Sequence, residues 1–322
     1  MAEHPSPPIR EPSPASSLSA VDLPAVAEEE VQGRSRKGPL APFHRVGVLQ
    51  HPKLPATHVV AQEVADFLLA QDLIPWLAST WDEPTVRDMM PDLDLVIVLG
   101  GDGSTLRAAR MAAPCGVPIV GLNMGRLGFL AEMSPEDWRE KLPRVLAGDY
   151  WLEERMMLRA QAWRQDASLG TYDALNDVVV SRGSLARVVR IHTHIDGGHL
   201  TTYVADGLIV ATPTGSTAYA LAVGGPILPP ELRNILLVPI APHLSLDRAI
   251  VLSEGVQVEM RVGTDHEAIL TVDGQFAFAL DDGDRVVVQA SPYLARFIRV
   301  QERTYFYKTL MERLGMVDRG RG

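Results

Sequence analysis

The chain has 322 residues, 46% of them apolar and 22% charged, ordinary globular proportions that exclude a wholly disordered, collagenous or coiled-coil protein. Thirty Lys and Arg stand against 40 Asp and Glu, a formal net charge of −10; this argues against a general nucleic-acid binder and leaves room for a local phosphate site. The single cysteine, Cys115, excludes a disulfide framework and any multi-cysteine metal site and fits a reducing compartment.

Residues 1–44 hold eight of the 24 prolines and one of 19 aromatics, Phe43. Such a segment buries too little apolar surface to order itself, and a disordered Pro/Ser-rich tail is expected there. It lacks the apolar core of a signal peptide. No run reaches the ~20 apolar residues of a membrane span, so a cytoplasmic protein without a membrane partner is expected.

Val46–Leu49 reads as a strand and Ala56–Ala70 as a helix, with Val59, Val60, Val64, Phe67 and Leu68 on one face. Asp94–Leu99 is a continuous apolar run, the mark of a strand buried on both faces. A helix is expected over Ser104–Ala113 with Ser104 as cap. Val117–Val120 reads as a further strand, and Ser134-Pro135-Glu136-Asp137 as a helix start. This alternation argues for a parallel α/β sheet over 45–150. From 151 to 304 the texture changes to short Val-, Ile- and Thr-rich runs separated by Asp-Gly turns, a β-rich domain with hairpins. A terminal helix and tail are expected over 305–322.

The sharpest chemical feature is Gly100-Gly101-Asp102-Gly103-Ser104, at the end of the buried strand. Ligands of open parallel sheets bind beyond the carboxyl ends of the strands. Glycines let the backbone approach a ligand closely, and the N–H groups of such a turn cradle anions. An acid placed there suits taking a proton from a hydroxyl, or holding Mg²⁺ against a polyphosphate. The chain has neither G-x-x-x-x-G-K-[ST] nor G-x-G-x-x-G.

The second feature runs from Asp206 through Thr212-Pro213-Thr214-Gly215-Ser216-Thr217-Ala218-Tyr219-Ala220. Its hydroxyls offer donors and acceptors for a sugar or phosphate, and the Tyr219 ring suits stacking on a base. Read structurally, the hydroxyls are helix caps. The third is Asn176-Asp177, an amide and a carboxylate at a strand start that suit a ribose or a base, or simply a turn. His192, His194 and His199 lack a further ligand at zinc spacing and read as surface histidines. Cys115 reads as a small buried side chain.

Together these motifs resemble the NAD kinase family, over about Arg45–Leu314. Supporting stretches are Gly121–Leu130, Gly224-Gly225-Pro226-Ile227, Pro242-His243-Leu244-Ser245-Leu246 and Asp273-Gly274-Gln275. The G-G-D-G string is shared with phosphofructokinases and lipid kinases; the T-P-T-G-S-T-A-Y string narrows the resemblance. It implies a two-domain NAD kinase/diacylglycerol kinase-like fold: an α/β domain with a parallel sheet, then a β-rich domain. It implies transfer of a phosphoryl group from ATP or polyphosphate to the adenosine-ribose 2′-hydroxyl of NAD, with Mg²⁺ or another divalent cation, in a homodimer or homotetramer.

By resemblance, Asp102 is the general base, Gly103 approaches the substrate through its backbone and Arg107 lies one turn along the helix. Asn176 and Asp177 hold the adenosine side. Thr217, Ala218 and Tyr219 line the adenine pocket, with Ala220, Leu221 and Ala222 beside it. Asp206 contacts the nicotinamide end, and Arg187 and Gln275 also line the site. Ser104 stands where the family commonly has Thr, and Ala222 where it has Ser. The alternatives are a lipid kinase of the same fold and a non-catalytic NAD(P)-binding regulator.

Overall fold

The computed structural model describes residues 42–125, 128–183, 187–243 and 246–313. The expected tail therefore lies outside the described residues, except for 42–44, as do Arg126, Leu127, Leu244, Ser245 and everything from Leu314 onward.

The first half reads β1 (Arg45–Gln50), α1 (Pro55–Leu69), β2 (Ile74–Ser79), α2 (Glu83–Met89), β3 (Leu95–Gly100), α3 (Asp102–Ala112), β4 (Ile119–Asn123), β5 (Ala131–Met133) and α4 (Trp138–Leu146). Strands β2, β1, β3 and β4 lie side by side, all parallel. Every residue of β3 is buried, because helices cover both faces. Helices α1 and α4 close one face with Val46, Val48 and Ile97; α2 and α3 close the other with Leu49, Val96 and Val98. Helix α1 matches the expected helix, with Val60, Val64, Phe67 and Leu68 packed toward the core, but Val59 is exposed and does not belong to that face.

Two expected helix starts move. Helix α3 begins at Asp102 with Gly101 as its N-cap, and Ser104 is buried inside the first turn instead of capping it. Pro135–Asp137 forms a turn ahead of α4, and the Ser134 N–H donates to Asp137 Oδ1 at 2.7 Å. In both places a local hydrogen-bonding preference yields to where the helix packs. Cys115 is exposed rather than buried.

The second half continues with β6 (Trp151–Arg164), β7 (Ala167–Ala174), β8 (Asp177–Arg182), β9 (Val189–Ile195), β10 (Gly198–Ala205), β11 (Gly207–Ala211), α5 (Tyr219–Ala222), β12 (Asn234–Ile240), β13 (Ile250–Ser253), β14 (Val258–Gly263), β15 (Ala268–Val272), β16 (Phe276–Leu280), β17 (Arg285–Arg299) and α6 (Tyr305–Arg313). A six-stranded antiparallel sheet, ordered β13-β12-β11-β8-β15-β16, faces the β10-β9-β14-β17 portion of the other sheet across an aliphatic core. Asp273-Gly274 turns the β15–β16 hairpin with φ of 51° and 62°, as an Asp-Gly pair favours.

The β-rich half is joined to the parallel sheet through β17. This strand pairs antiparallel with β14 and β6, and its far end pairs parallel with β4 at Phe297↔Ile119. Ala295 and Phe297 thus enter the first half's core. Helix α6 follows, and Tyr305 and Phe306 pack on Phe129.

Candidate active site

Helix α3 starts directly after the buried β3, and Gly101 and Gly103 at this junction are exposed. Asp102 is half-buried there. Its carboxylate accepts from the Phe129 N–H at 3.2 Å and the Leu130 N–H at 3.4 Å. A Cβ placed on Gly128 would overlap that carboxylate, so only glycine lets the 128–130 backbone close on it. We expect Gly128→Ala to displace Asp102, lowering turnover by about 10²-fold with little change in Tm; steady-state kinetics beside a thermal melt checks this.

Gly103 meets the second half directly: Gln275 Nε2 donates to its carbonyl at 2.7 Å. One residue along from Gly274, Asp273 is the hub. Its buried carboxylate accepts from the N–H groups of Leu175 (3.1 Å), Asn176 (2.7 Å) and Asp177 (3.2 Å), and pairs with Arg110 of α3 at 3.3 Å. The Asp273 N–H returns to the Asp177 carbonyl at 2.9 Å. Asn176 and Asp177 are thereby fixed beside the β3–α3 loop. The role of Asp273 has no local signature beyond an Asp-Gly turn, and its partner Arg110 lies 163 residues away.

The Thr212–Tyr219 loop packs on the same spot. The Asn176 carbonyl accepts from the Thr212 N–H at 2.9 Å, and a Cβ on Gly215 would collide with that carbonyl. Several expected ligand hydroxyls are spent internally. Thr212 Oγ1 donates to the Leu175 carbonyl and accepts from the Gly215 N–H. Ser216 Oγ donates to the Pro213 carbonyl and accepts from the Leu228 N–H. Both residues are fully buried, so the capping reading describes these two. Thr217 and Ala218 are half-buried and Tyr219 is exposed. Ala220 packs its side chain into the core on Ile209 and Leu236. Leu221 is half-buried and Ala222 exposed.

Arg155 closes the ring. It is buried, donates to Thr214 Oγ1 (3.4 Å), the Phe129 carbonyl (3.5 Å) and Tyr305 Oη (2.7 Å), and pairs with Glu153 at 3.0 Å. A circuit therefore runs from Asp102 through Phe129, Arg155, the Thr212–Gly215 turn, Asn176, Asp273 and the following Gln275 back to Gly103. The sequence offers no sign of Arg155, since an arginine in a strand reads as surface.

Asp177 is buried, and its carboxyl is pushed up to about 7, first by burial and then by the Asp273 carboxylate. Its ordinary value is 3.8; between there and about 7 the folded chain holds a proton that the unfolded chain releases. That group's contribution makes stability fall as pH rises through this window. Asp177→Asn is expected to remove the fall, narrowing the difference between melts at pH 5 and pH 8.

Arg107 is held by Glu83 at 2.8 Å, beside the Trp81 ring. Two candidates sit apart. Asp206 pairs with Arg182 at 2.9 Å, and Arg187 donates to the His266 ring at 2.7 Å and lies 3.7 Å from Asp265. Arg182 and Asp177 are opposite ends of β8, about 17 Å apart at 3.3 Å per residue. Asp206 and Arg187 thus lie at the far end of the six-stranded sheet from Asp102. His192 and His194 share the outer face of β9, where His192 meets Thr202 and His194 meets His199. Among the described residues no three His, Cys, Asp or Glu side chains gather as a metal site. No described helix is long and apolar enough to cross a membrane.

Residues 48–150 match the ATP-NAD kinase N-terminal domain and residues 175–300 the ATP-NAD kinase C-terminal domain. The NAD kinase of Chloroflexus aggregans is 42% identical over 272 residues, covering 84% of this chain and 99% of that protein. The chain belongs to the NAD kinase family. The NAD kinase of Heliobacterium modesticaldum is 44% identical over 269 residues, covering 81% and 95%. Among solved structures, yeast NADH kinase complexed with NADH superposes with a TM-score of 0.73 at 25% identity, over 87% of this chain and 90% of that one. An NAD kinase from Archaeoglobus fulgidus in complex with ATP gives 0.69 at 27%, over 85% and 99%. The NAD kinase two-part fold is thus the one built here, and the chain is a phosphotransferase of that family; nothing supports a lipid kinase or a regulator without activity.

Proposed function

We propose that this NAD kinase transfers the terminal phosphoryl group of ATP, or of polyphosphate, to the 2′-hydroxyl of the adenosine ribose of NAD, giving NADP. The observation that carries this reading is the circuit of contacts that seats the Asp102 carboxylate at the start of α3 and fixes Asn176, Asp177 and the Thr212–Tyr219 loop around it. The yeast relative's NADH and the archaeal relative's ATP accord with it.

A ribose hydroxyl is a weak nucleophile at neutral pH. Asp102 takes its proton as the oxygen attacks the terminal phosphorus and the bond to the departing ADP breaks. The N–H groups at the start of α3 meet the negative charge, and charge neutralisation with positioning supplies most of the acceleration. Asn176 and Asp177 hold the adenosine, while Thr217, Ala218 and Tyr219 line the adenine pocket with Leu221 and Ala222 beside it. Ala220 supports that pocket from the core. Gln275 fixes Gly103, which approaches the substrate by its backbone. Arg107 adds positive charge one turn into α3.

The acid at the loop itself is Asp102, with no three-ligand cage near it among the described residues. That suits Mg²⁺ carried largely by the donor's phosphates, as this ion commonly is; when bound it neutralises charge on the polyphosphate. Arg187 and Asp206 complete the nicotinamide end from a second copy of the chain, in a homodimer or homotetramer, since they lie too far along β8 and β11 to act within one copy.

The test is a kinase assay on purified protein with NAD, ATP and Mg²⁺, reading NADP through an NADP-specific dehydrogenase. NADP formation is the expected result. Its absence, with polyphosphate and NADH also tried, would sink the reading.

A further inference from the structure

Trp81 alone among the five tryptophans is exposed, at 46%. Indoles are usually well buried, and this one has polar company. Lys53 Nζ stands 4.6 Å from the ring centroid and Arg107 Cζ 6.0 Å from it. The His51 ring meets it edge-on at 5.6 Å. The Lys53 ammonium has no ion pair among the described residues, and the indole is its neighbour. Glu83 pairs with Arg107, Arg87 and Arg110 together, and Arg110 also pairs with Asp273.

The topology places this patch beside the phosphoryl-transfer loop. His51 and Lys53 follow β1, Trp81 follows β2 and Asp102 follows β3, so three loops share the carboxyl edge of the parallel sheet. Helix α1 after β1 and helix α3 after β3 cover opposite faces. The chain thus changes direction between β1 and β3, and the crevice at such a point is where open α/β sheets hold ligands. His51 borders that crevice: its Cβ lies 3.5 Å from where a Cβ on Gly100 would stand.

An exposed ring beside unpaired positive charge, next to a loop that receives phosphate, has the chemistry of a purine nucleoside triphosphate site. Aromatic rings stack on bases, and cations take the phosphates. Resting on the phosphotransfer reading above, we propose that Trp81 is the stacking platform for the purine of the phosphoryl donor, and that Lys53 turns from the indole to the donor's phosphates when the base takes its place. The platform favours a nucleotide over bare polyphosphate as donor.

The test compares the full chain with Trp81→Ala, Trp81→Phe and Lys53→Met. Tryptophan fluorescence of the parent is titrated with ATP, Kd for ATP and for tripolyphosphate is measured on every protein by calorimetry, and KM is measured for ATP and for NAD. ATP quenches the parent's emission, and Trp81→Ala raises the Kd and KM for ATP by about 5- to 150-fold, the range that loss of one base stack gives. Trp81→Phe recovers most of that loss. Lys53→Met weakens ATP and tripolyphosphate alike, whereas Trp81→Ala weakens ATP alone and moves the KM for NAD by less than about twofold. An ATP Kd within about twofold of the parent in Trp81→Ala, or an equal loss for tripolyphosphate, overturns the platform. If the parent binds ATP on Trp81 yet makes no NADP, the activity fails and the platform stands; NADP formation with unaltered Trp81→Ala kinetics gives the converse.

Discussion

Asp102→Asn is expected to lower kcat by about 10²–10⁴-fold, the usual contribution of a positioned base, while KM for NAD and the melting temperature stay close to those of the parent. The amide keeps the carboxylate's shape and one acceptor oxygen, so one of the two N–H groups that hold Asp102, Phe129 or Leu130, keeps its partner while the other faces the amide NH2. What disappears is the ability to take a proton from the ribose hydroxyl. Binding depends on groups the substitution leaves in place: Gly103 fixed by Gln275, and Asn176 and Asp177 fixed by Asp273. Single-turnover kinetics with saturating NAD and ATP, beside a thermal melt, separates chemistry from binding and folding. If the variant keeps kcat within about tenfold of the parent, Asp102 is not the base and positioning alone drives the reaction.

Arg299→Met is expected to cost about 3–5 kcal/mol, the range for breaking one partner out of a buried ionic cluster. Arg299 is fully buried. It donates to Glu153 at 2.9 Å and Glu132 at 3.4 Å, and to the carbonyls of Phe129, Leu130 and Ala131. Methionine fills similar space but leaves Glu132 and Glu153 buried with less positive charge. At roughly 2–4 °C per kcal/mol the melting temperature falls on the order of 10 °C. Burial by itself would raise the Glu153 carboxyl, but Arg299, Arg155 and the Tyr305 hydroxyl bring it down to about 2 from 4.5. A carboxylate depressed in the folded state adds stability above its ordinary value and loses it as pH falls through the folded one. The parent therefore keeps this contribution at pH 5 and loses it between about 4.5 and about 2. Arg299→Met should unfold at a higher pH in an acid titration. Activity should fall along with stability, because the same guanidinium braces the 129–131 segment that grips Asp102. A melting temperature within about 2 °C of the parent would mean that the cluster relaxes without cost.

The parallel sheet was legible because β3 is apolar at each position and is followed by a glycine turn, a pattern that needs both faces covered. Strand β2 was not: Pro75, Trp76 and Ser79 break any clear alternation, and its place comes from pairing with β1. Asp102, Asn176 and Thr212–Tyr219 were legible because unusual residue types sit in a row. Arg110, Arg155, Asp273 and Arg299 were not, because a buried charge is recognised by its partner, and these partners lie up to 170 residues away. The motif hydroxyls mark the limit in the other direction: a Thr or Ser in a turn suits a ligand and a backbone group equally, and packing gave Thr212 and Ser216 to the backbone.

The sequence by itself determined the α/β half, the β-rich half, the family and the acid at the loop, since hydrophobic period, turn residues and rare strings are local properties of a chain. Only the tertiary structure decided that β17 ties the two halves together, and that Asp273 bolts Asn176 and Asp177 to α3. It also separated Arg187 and Asp206 from Asp102, by the length of β8, and put Trp81 beside Lys53 at the sheet's carboxyl edge. The physical reason is the same in each case: electrostatic pairing, stacking and strand register act through space, between residues whose separation along the chain leaves no periodic or local trace.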